Sequence, residues 1–238
     1  MNNIKKLLQP LRLLLENFKN QQPKDSFSQC GEDLIVKFIF YVLGIKTPAY
    51  LDVGAYHPRH FSNTFLFYRE GASGVCIEPD PELCHYFQKK RPRDKCLNVG
   101  VGIDNQVEAN FYLMTPRTLN TFSQEEAEKA AAMGRAISKV VKVPLKGIND
   151  LIAENFSGKC PNFVSLDIEG LDYEVLKTFD FVKHRPEVFC IETLTYSETR
   201  AGEKLTNIIE YMKSKNYFVY ADTYINTIFV DHEAWKFN

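Results

Sequence analysis

The chain reads as an α/β fold: a doubly wound, mostly parallel seven-stranded sheet closed by an antiparallel hairpin. Three observations predict it. Short apolar runs alternate with helical segments along most of the chain, the pattern of buried parallel strands joined by crossover helices. Asp52, Glu78, Asp167 and Glu192 each stand at or near the end of such a run, where an open parallel sheet gathers its ligand groups. The last two runs, 218–221 and 227–230, are separated only by a short turn, so they should pair antiparallel.

Composition narrows the classes. With 238 residues, 45% of them hydrophobic and 25% charged, the chain suits one large α/β domain plus an appendage. A net charge of −1 argues against a nucleic-acid binder that works by neutralising phosphates. The basic run 89–93 falls at a predicted helix end, where cations are favoured, and is expected to be solvated. The six cysteines show no C-x-x-C spacing, so free thiols and a reducing, cytoplasmic compartment are expected. No apolar run is long enough to span a bilayer, and no signal-peptide cleavage pattern is present.

In chain order, residues 1–20 carry Ile4, Leu7, Leu8, Leu11, Leu14, Leu15 and Phe18 at helical spacing. They predict an amphipathic helix, bent at Pro10, that packs on its own domain, a second copy of the chain or a partner; a membrane surface is the alternative. Residues 1–25 are divided on this basis from a domain over 26–238. A helix is expected over 26–44. Its polar head can fold over the ligand edge and bring Gln29 and Glu32 to the ligand, or Ser28 and Asp33 can simply cap it.

Residues 49–80 are the organising unit: strand, glycine turn, helix, strand. Ser62 is expected as the helix N-cap, with Phe61 and Leu66 as a hydrophobic staple and Gly71 as the stop. Asp80-Pro81 starts the next helix as cap and first residue. Such a unit is a nucleotide-binding frame. Only one glycine, Gly54, follows the first strand, which is poor for a pyrophosphate but adequate for a phosphate-free adenosyl ligand such as S-adenosylmethionine. Asp52 and Glu78 are the acids expected around it.

Further strands are predicted at 96–101, 107–114 and 140–144. Residues 115–139 form an irregular insertion, with a helix at 124–137, expected to help cover an acceptor site. Helices follow at 147–156 and 172–179, strands at 163–168 and 188–191, and a helix at 202–215.

The ordered set Ser-Gln-Cys-Gly-Glu-Asp (28–33), Leu-Asp-Val-Gly-Ala (51–55), Phe-Ser-Asn-Thr (61–64), Ile-Glu-Pro-Asp-Pro (77–81), Asn-Val-Gly-Val (98–101), Asp-Ile-Glu-Gly (167–170) and Ile-Glu (191–192) resembles the FkbM family of S-adenosylmethionine-dependent methyltransferases. It covers residues 26–193. His57-Pro58 stands where many members carry a second glycine. The resemblance implies the Rossmann-like class I methyltransferase sheet and O-methylation of a sugar, glycan or secondary metabolite. It implies a cofactor site at Gln29, Glu32, Asp52, Gly54, Ala55, Asn63, Glu78, Pro79, Gly100, Val101 and Asp167.

An alcohol attacks a sulfonium methyl only as its proton is removed, so a base is needed. Asp167 is the first candidate, with Glu169 beside it and His57 as the alternative; His57 also suits a plain turn cap. A divalent ion on Asp167, Glu169 and Glu192 is a weaker reading than a metal-free acidic cleft. Two rival functions remain at this level. One is a non-catalytic adenosyl-cofactor-binding module of a larger assembly. The other is a nucleotide-dependent oxidoreductase, which the glycine count disfavours.

Overall fold

The computed structural model describes residues 25–168, 170–195 and 202–236. The helix expected over 1–20, and Glu169, lie outside the described residues. Helix α1 (Glu32–Val42) is followed by β1 (Tyr50–Val53), α2 (Phe65–Arg69), β2 (Gly74–Ile77), α3 (Pro81–Lys90) and β3 (Lys95–Leu97). The chain then leaves for β4 (Gly100–Gly102), β5 (Glu108–Thr115), α4 (Gln124–Ala132) and β6 (Ala136–Gly147), and returns through α5 (Ile148–Asn155) to β7 (Phe163–Leu166). Then come α6 (Asp172–Thr178), β8 (Val188–Glu192), α7 (Thr206–Ser214), β9 (Tyr217–Asp222) and β10 (Asn226–Asp231).

The main sheet has seven strands in the order β3-β2-β1-β7-β8-β10-β9. The first five run parallel, and β10 is antiparallel to both β8 and β9. This is the Rossmann-like, doubly wound sheet with a reversed C-terminal hairpin. Chain progress changes direction between β1 and β7, which makes their carboxyl ends the switch point.

Side chains alternate across the sheet. Leu51, Val53, Val75, Ile77, Val164, Leu166, Phe189 and Ile191 pack with α5, α6 and α7. Tyr50, Phe163, Val188, Cys190, Ile228 and Val230 pack with α1 and α2. Each such side chain contributes roughly 1.5–3 kcal/mol by leaving water. The apolar runs are continuous because both faces are covered.

Several expectations are corrected. The strand expected at 96–101 divides at Asn98, whose Nδ2 donates to the carbonyls of Glu78 (2.9 Å) and Pro79 (2.7 Å). The amide locks the chain against the end of β2, and β4 pairs with β6 instead. The strand expected at 140–144 is the twelve-residue β6, antiparallel to β5. A second sheet of three strands, β4-β6-β5, results. Residues 115–139 are therefore largely the tip of a β5–β6 hairpin, with a 3-10 turn at Arg117–Leu119 and α4 inside it.

The helix expected from residue 26 begins at Glu32. Gly31 sits at φ 93°, and Asp33 Oδ2 accepts the Phe27 amide (2.8 Å) while Ser28 Oγ accepts that of Gly31 (3.1 Å). Helix α2 starts at Phe65 rather than just after Ser62. Ser62 Oγ still accepts the Phe65 amide at 3.1 Å, but Phe61 is 60% exposed at φ 54° and forms no staple. The helix expected over 202–215 begins at Thr206, since Lys204 forms a bridge with Leu194.

The basic run is not wholly solvated. Arg91 is fully buried, with Nε donating to Asp94 (2.6 Å) and its other nitrogens to Tyr50 (3.0 Å), Thr64 (3.0 Å) and Ser62 (3.3 Å). Two buried acids, Asp52 and Asp94, need a cation, and Arg91 supplies a planar five-donor group. Among the described residues no helix is long and apolar enough to cross a membrane.

Candidate active site

A cavity of about 460 Å³ lies at the carboxyl ends of β1, β2, β7 and β8, within the range of small-molecule sites. Val53, Gly54, Ile77, Glu78, Asp167 and Glu192 line it from the main sheet. Gly100, Val101, Phe111, Phe122 and Arg117 line it from the second sheet and hairpin tip, and Tyr56 and Phe61 from the loop after β1.

Gly54 sets how closely the two central strands approach. It has φ 79°, and a Cβ there would lie 1.8 Å from the Asp167 carbonyl oxygen. Only glycine permits both the left-handed backbone and the contact. The Gly54 amide donates to the Ile77 carbonyl (3.1 Å), tying the turn to β2.

Glu78 closes β2 with its carboxylate accepting the amides of Tyr56 (2.7 Å) and Asp80 (2.8 Å). Burial outweighs those bonds and pushes its pKa up to about 8. Each oxygen retains a lone pair for a ligand hydroxyl. Asp80 caps α3 through the amides of Glu82 (2.9 Å) and Leu83 (3.3 Å), as expected. Its second oxygen accepts from Arg117 and Asn120, both at 3.3 Å, and Arg117 also pairs with Glu82. These bonds latch the hairpin tip to the start of α3.

Opposite Glu78, the Asp167 carboxyl is hydrogen-bonded to that of Glu192. Burial pushes the Asp167 pKa up to about 6; the Glu192 bond opposes the rise, and the charges of Asp52 and Glu32 add to it. Asp172, on α6, accepts the amides of Ile168 and Gly170 at 3.3 Å and is pushed up to about 7 by burial and the charge of Asp167.

The structure brings Gln29, Gly54, Asn63, Glu78, Pro79, Gly100, Val101 and Asp167 to the cavity wall. It leaves others behind it. Asp52 shares a sheet face with Tyr50, not with Val53. It is 4% exposed and accepts from Thr64 Oγ1 at 2.5 Å, inside the Arg91 network. Ala55 packs among Cys76, Cys84, Phe87 and Cys96. Glu32 is fully buried behind Asn226. His57 does not line the cavity, and its Nδ1 accepts the amides of Arg59 (3.1 Å) and His60 (3.0 Å), a turn cap. Of the acids considered for a cation, Glu169 is outside the described residues and Asp167 is bonded to Glu192.

Sequence reasoning missed Tyr56, Phe61, Arg117, Phe122 and Asn226, all on the cavity wall. The loop aromatics gave a weak signal in Tyr56-His-Pro and Phe61-Ser-Asn-Thr. Nothing local marks Arg117 or Phe122, because they reach the site only through the β5–β6 pairing.

A family model described as "Methyltransferase FkbM domain" matches residues 52–219. The chain belongs to the FkbM methyltransferase family. As a member it is an S-adenosylmethionine-dependent methyltransferase. No curated protein matches it. Solved structures similar to it include a 1,6-didemethyltoxoflavin N1-methyltransferase from Burkholderia thailandensis (11% identity, 93% of this chain and 87% of that one, TM-score 0.41). Another is a TehB-like S-adenosylmethionine-dependent methyltransferase from Corynebacterium glutamicum (9%, 95% and 97%, 0.45). A third is a magnesium protoporphyrin IX methyltransferase from Synechocystis PCC 6803 (9%, 84% and 80%, 0.39).

The residues that line the cavity fit such a cofactor. Glu78, Asp167 and Glu192 place carboxyl oxygens on the wall that can accept from ribose hydroxyls and from an ammonium. No helix follows the glycine turn directly, since α2 starts only at Phe65, so a pyrophosphate would find no helix N-terminus there.

Proposed function

We propose that this chain transfers a methyl group from S-adenosylmethionine to a hydroxyl of a sugar, glycan or secondary metabolite. The bound cofactor supplies an electrophilic methyl on a sulfonium. Glu78 holds the ribose hydroxyls with its spare lone pairs, and Gly54 lets the ligand lie against the backbone. Pro79, Gly100 and Val101 flank the adenine, while Gln29 and Asn63 face the amino-acid end. Asp167 takes the acceptor's proton, with Glu192 holding that carboxyl in place.

The observation that carries this reading is the Asp167–Glu192 carboxyl pair standing across one cavity from Glu78. The Tyr56 and Phe61 rings, 6.5 Å apart at 30°, offer flat apolar surface at the mouth, which suits a sugar ring. The free cysteines support a cytoplasmic site of action. Residues 1–25 remain proposed as an N-terminal appendage, with residues 1–20 contacting a partner or a second copy.

The test combines calorimetry with S-adenosylhomocysteine and a radiolabelled methyl-transfer assay over hydroxylated acceptors. Glu78→Ala should abolish measurable binding. Asp167→Asn should bind the cofactor product normally yet lose about 10²–10⁴-fold in transfer. Full transfer by Asp167→Asn would defeat the base assignment. Binding without turnover on any acceptor would favour a non-catalytic module.

A further inference from the structure

The sheet register sets three hydrogen-bond acceptors side by side at the ligand edge. Asn226 pairs with Glu192 between β10 and β8, and Leu166 pairs with Ile191, so Asp167 continues the register beside Glu192. All three line the cavity. The two carboxyls are bonded to each other. Asn226 is different: it is 2% exposed, and its Oδ1 has no hydrogen-bond partner. A buried amide oxygen left unmatched is destabilising, a burden native folds tolerate mainly where a ligand or water will supply the donor.

The amide's orientation is set from behind. Nδ2 donates to Glu32 Oε1 at 3.1 Å. Glu32 also accepts from Thr223 Oγ1 (2.6 Å) and from the Cys30 amide (2.8 Å). Burial works against its charge, but these bonds outweigh burial and hold its carboxyl below the ordinary value. An ionised carboxylate only accepts, so a flipped Asn226 would set oxygen against oxygen. Oδ1 is therefore the atom left for a ligand.

We infer that Asn226 Oδ1 accepts a hydrogen bond from a second hydroxyl of the methyl acceptor, next to the hydroxyl held by the Asp167–Glu192 pair. The inference rests on the methyl-transfer reading above and adds a substrate class: a vicinal diol, as on a pyranose ring, in place of an isolated alcohol. Adjacent strands lie about 4.8 Å apart, so Glu192 and Asn226 can meet neighbouring hydroxyls of one ring. A neutral amide oxygen matches a neutral hydroxyl; an ammonium would be drawn to the carboxylates.

The experiment uses full-length protein saturated with S-adenosylhomocysteine, titrated with methyl glucoside, galactoside, mannoside and rhamnoside by ligand-observed NMR. The mono-deoxy analogues of each and one amino sugar complete the panel. At least one glycoside should bind, and removing one ring hydroxyl should weaken it about tenfold. Asn226→Ala should bind S-adenosylhomocysteine as the parent does but no longer distinguish diol from deoxy analogue. A merely structural role would weaken both equally, and that result overturns the inference. So would a loss of S-adenosylhomocysteine affinity in Asn226→Ala, an amino sugar bound more tightly than the diol, or no glycoside bound at all. Failure of the parent protein to bind S-adenosylhomocysteine would instead remove the methyl-transfer reading itself. Should Asn226→Ala not fold, Asn226→Ser serves: its shorter side chain withdraws the oxygen, and discrimination should fall at least threefold.

Discussion

Replacing Gly54 with alanine tests the geometry on which the site depends. The added Cβ would stand 1.8 Å from the Asp167 carbonyl oxygen and 2.9 Å from its carbon, at φ 79°. Ordinary contact begins near 3.4 Å, so β1 and β7 must separate by 3.4 − 1.8 = 1.6 Å at their carboxyl ends. The left-handed backbone costs a residue with a Cβ roughly 1–2 kcal/mol, and overpacking a further 1–3 kcal/mol. The sum, about 2–5 kcal/mol, lowers the melting temperature by roughly 4–20 °C in a chain of this size. Because the strain falls on Asp167 and the cofactor turn together, S-adenosylhomocysteine affinity should fall at least about tenfold, since misplacement by an ångström weakens an oriented site. Gly71→Ala is the control. It has φ 101° but open space around its Cβ, so it carries only the backbone cost and should bind normally. Differential scanning fluorimetry and calorimetry read both quantities. A Gly54→Ala protein that melts within about 1 °C of the parent and binds equally would refute the argument.

Four further outcomes rest on the same side-chain network. Transfer should rise with pH through a limb near 6 as Asp167 gives up its proton, and a rate flat from pH 5 to 8 would speak against a carboxylate base. Glu78 and Asp172 have folded-state pKa values of about 8 and about 7, above the ordinary 4.5 and 3.8. The folded chain thus holds protons that the unfolded chain has released. Their contribution to stability declines as pH rises from about 4 to about 8; melting should be higher at pH 5.5 than at 8.5, and Asp172→Asn should flatten the difference. Arg91→Met should cost about 3–5 kcal/mol, because Asp52 and Asp94 are left buried without their cation. Arg117→Ala, which removes a 43%-exposed side chain and its ion pairs with Asp80 and Glu82, should barely change melting. It should speed hydrogen exchange over 117–121 and raise the acceptor KM a few-fold; unchanged exchange would mean the hairpin tip is held by other contacts.

Much of this was legible in local pattern. The Asp80-Pro81 cap, the stop at Gly71, the glycine turn at Gly54 and the hairpin finish all follow from backbone chemistry within a few residues. The boundaries that failed did so because a side chain competed for the backbone. Asn98 took two carbonyls and cut a strand in two, while Ser28 and Asp33 took amides and delayed a helix. Asp52 looks like a ligand acid in the sequence because strand-end position is visible there. Its sheet face, turned toward α2 and Arg91, is not.

By itself the sequence determined the α/β order, the acids at the strand ends and the single-glycine turn, since each depends on residues close together along the chain. Only the tertiary structure decided which acids face the cavity, that Arg91 is buried, and that residues 115–139 are largely the tip of a β5–β6 hairpin on a second sheet. It alone set Asn226 beside Glu192, 34 residues apart in the chain but paired in the sheet. The reason is physical: pairing register and burial depend on groups brought together across long stretches of chain, and no local preference of one segment encodes what the other will present.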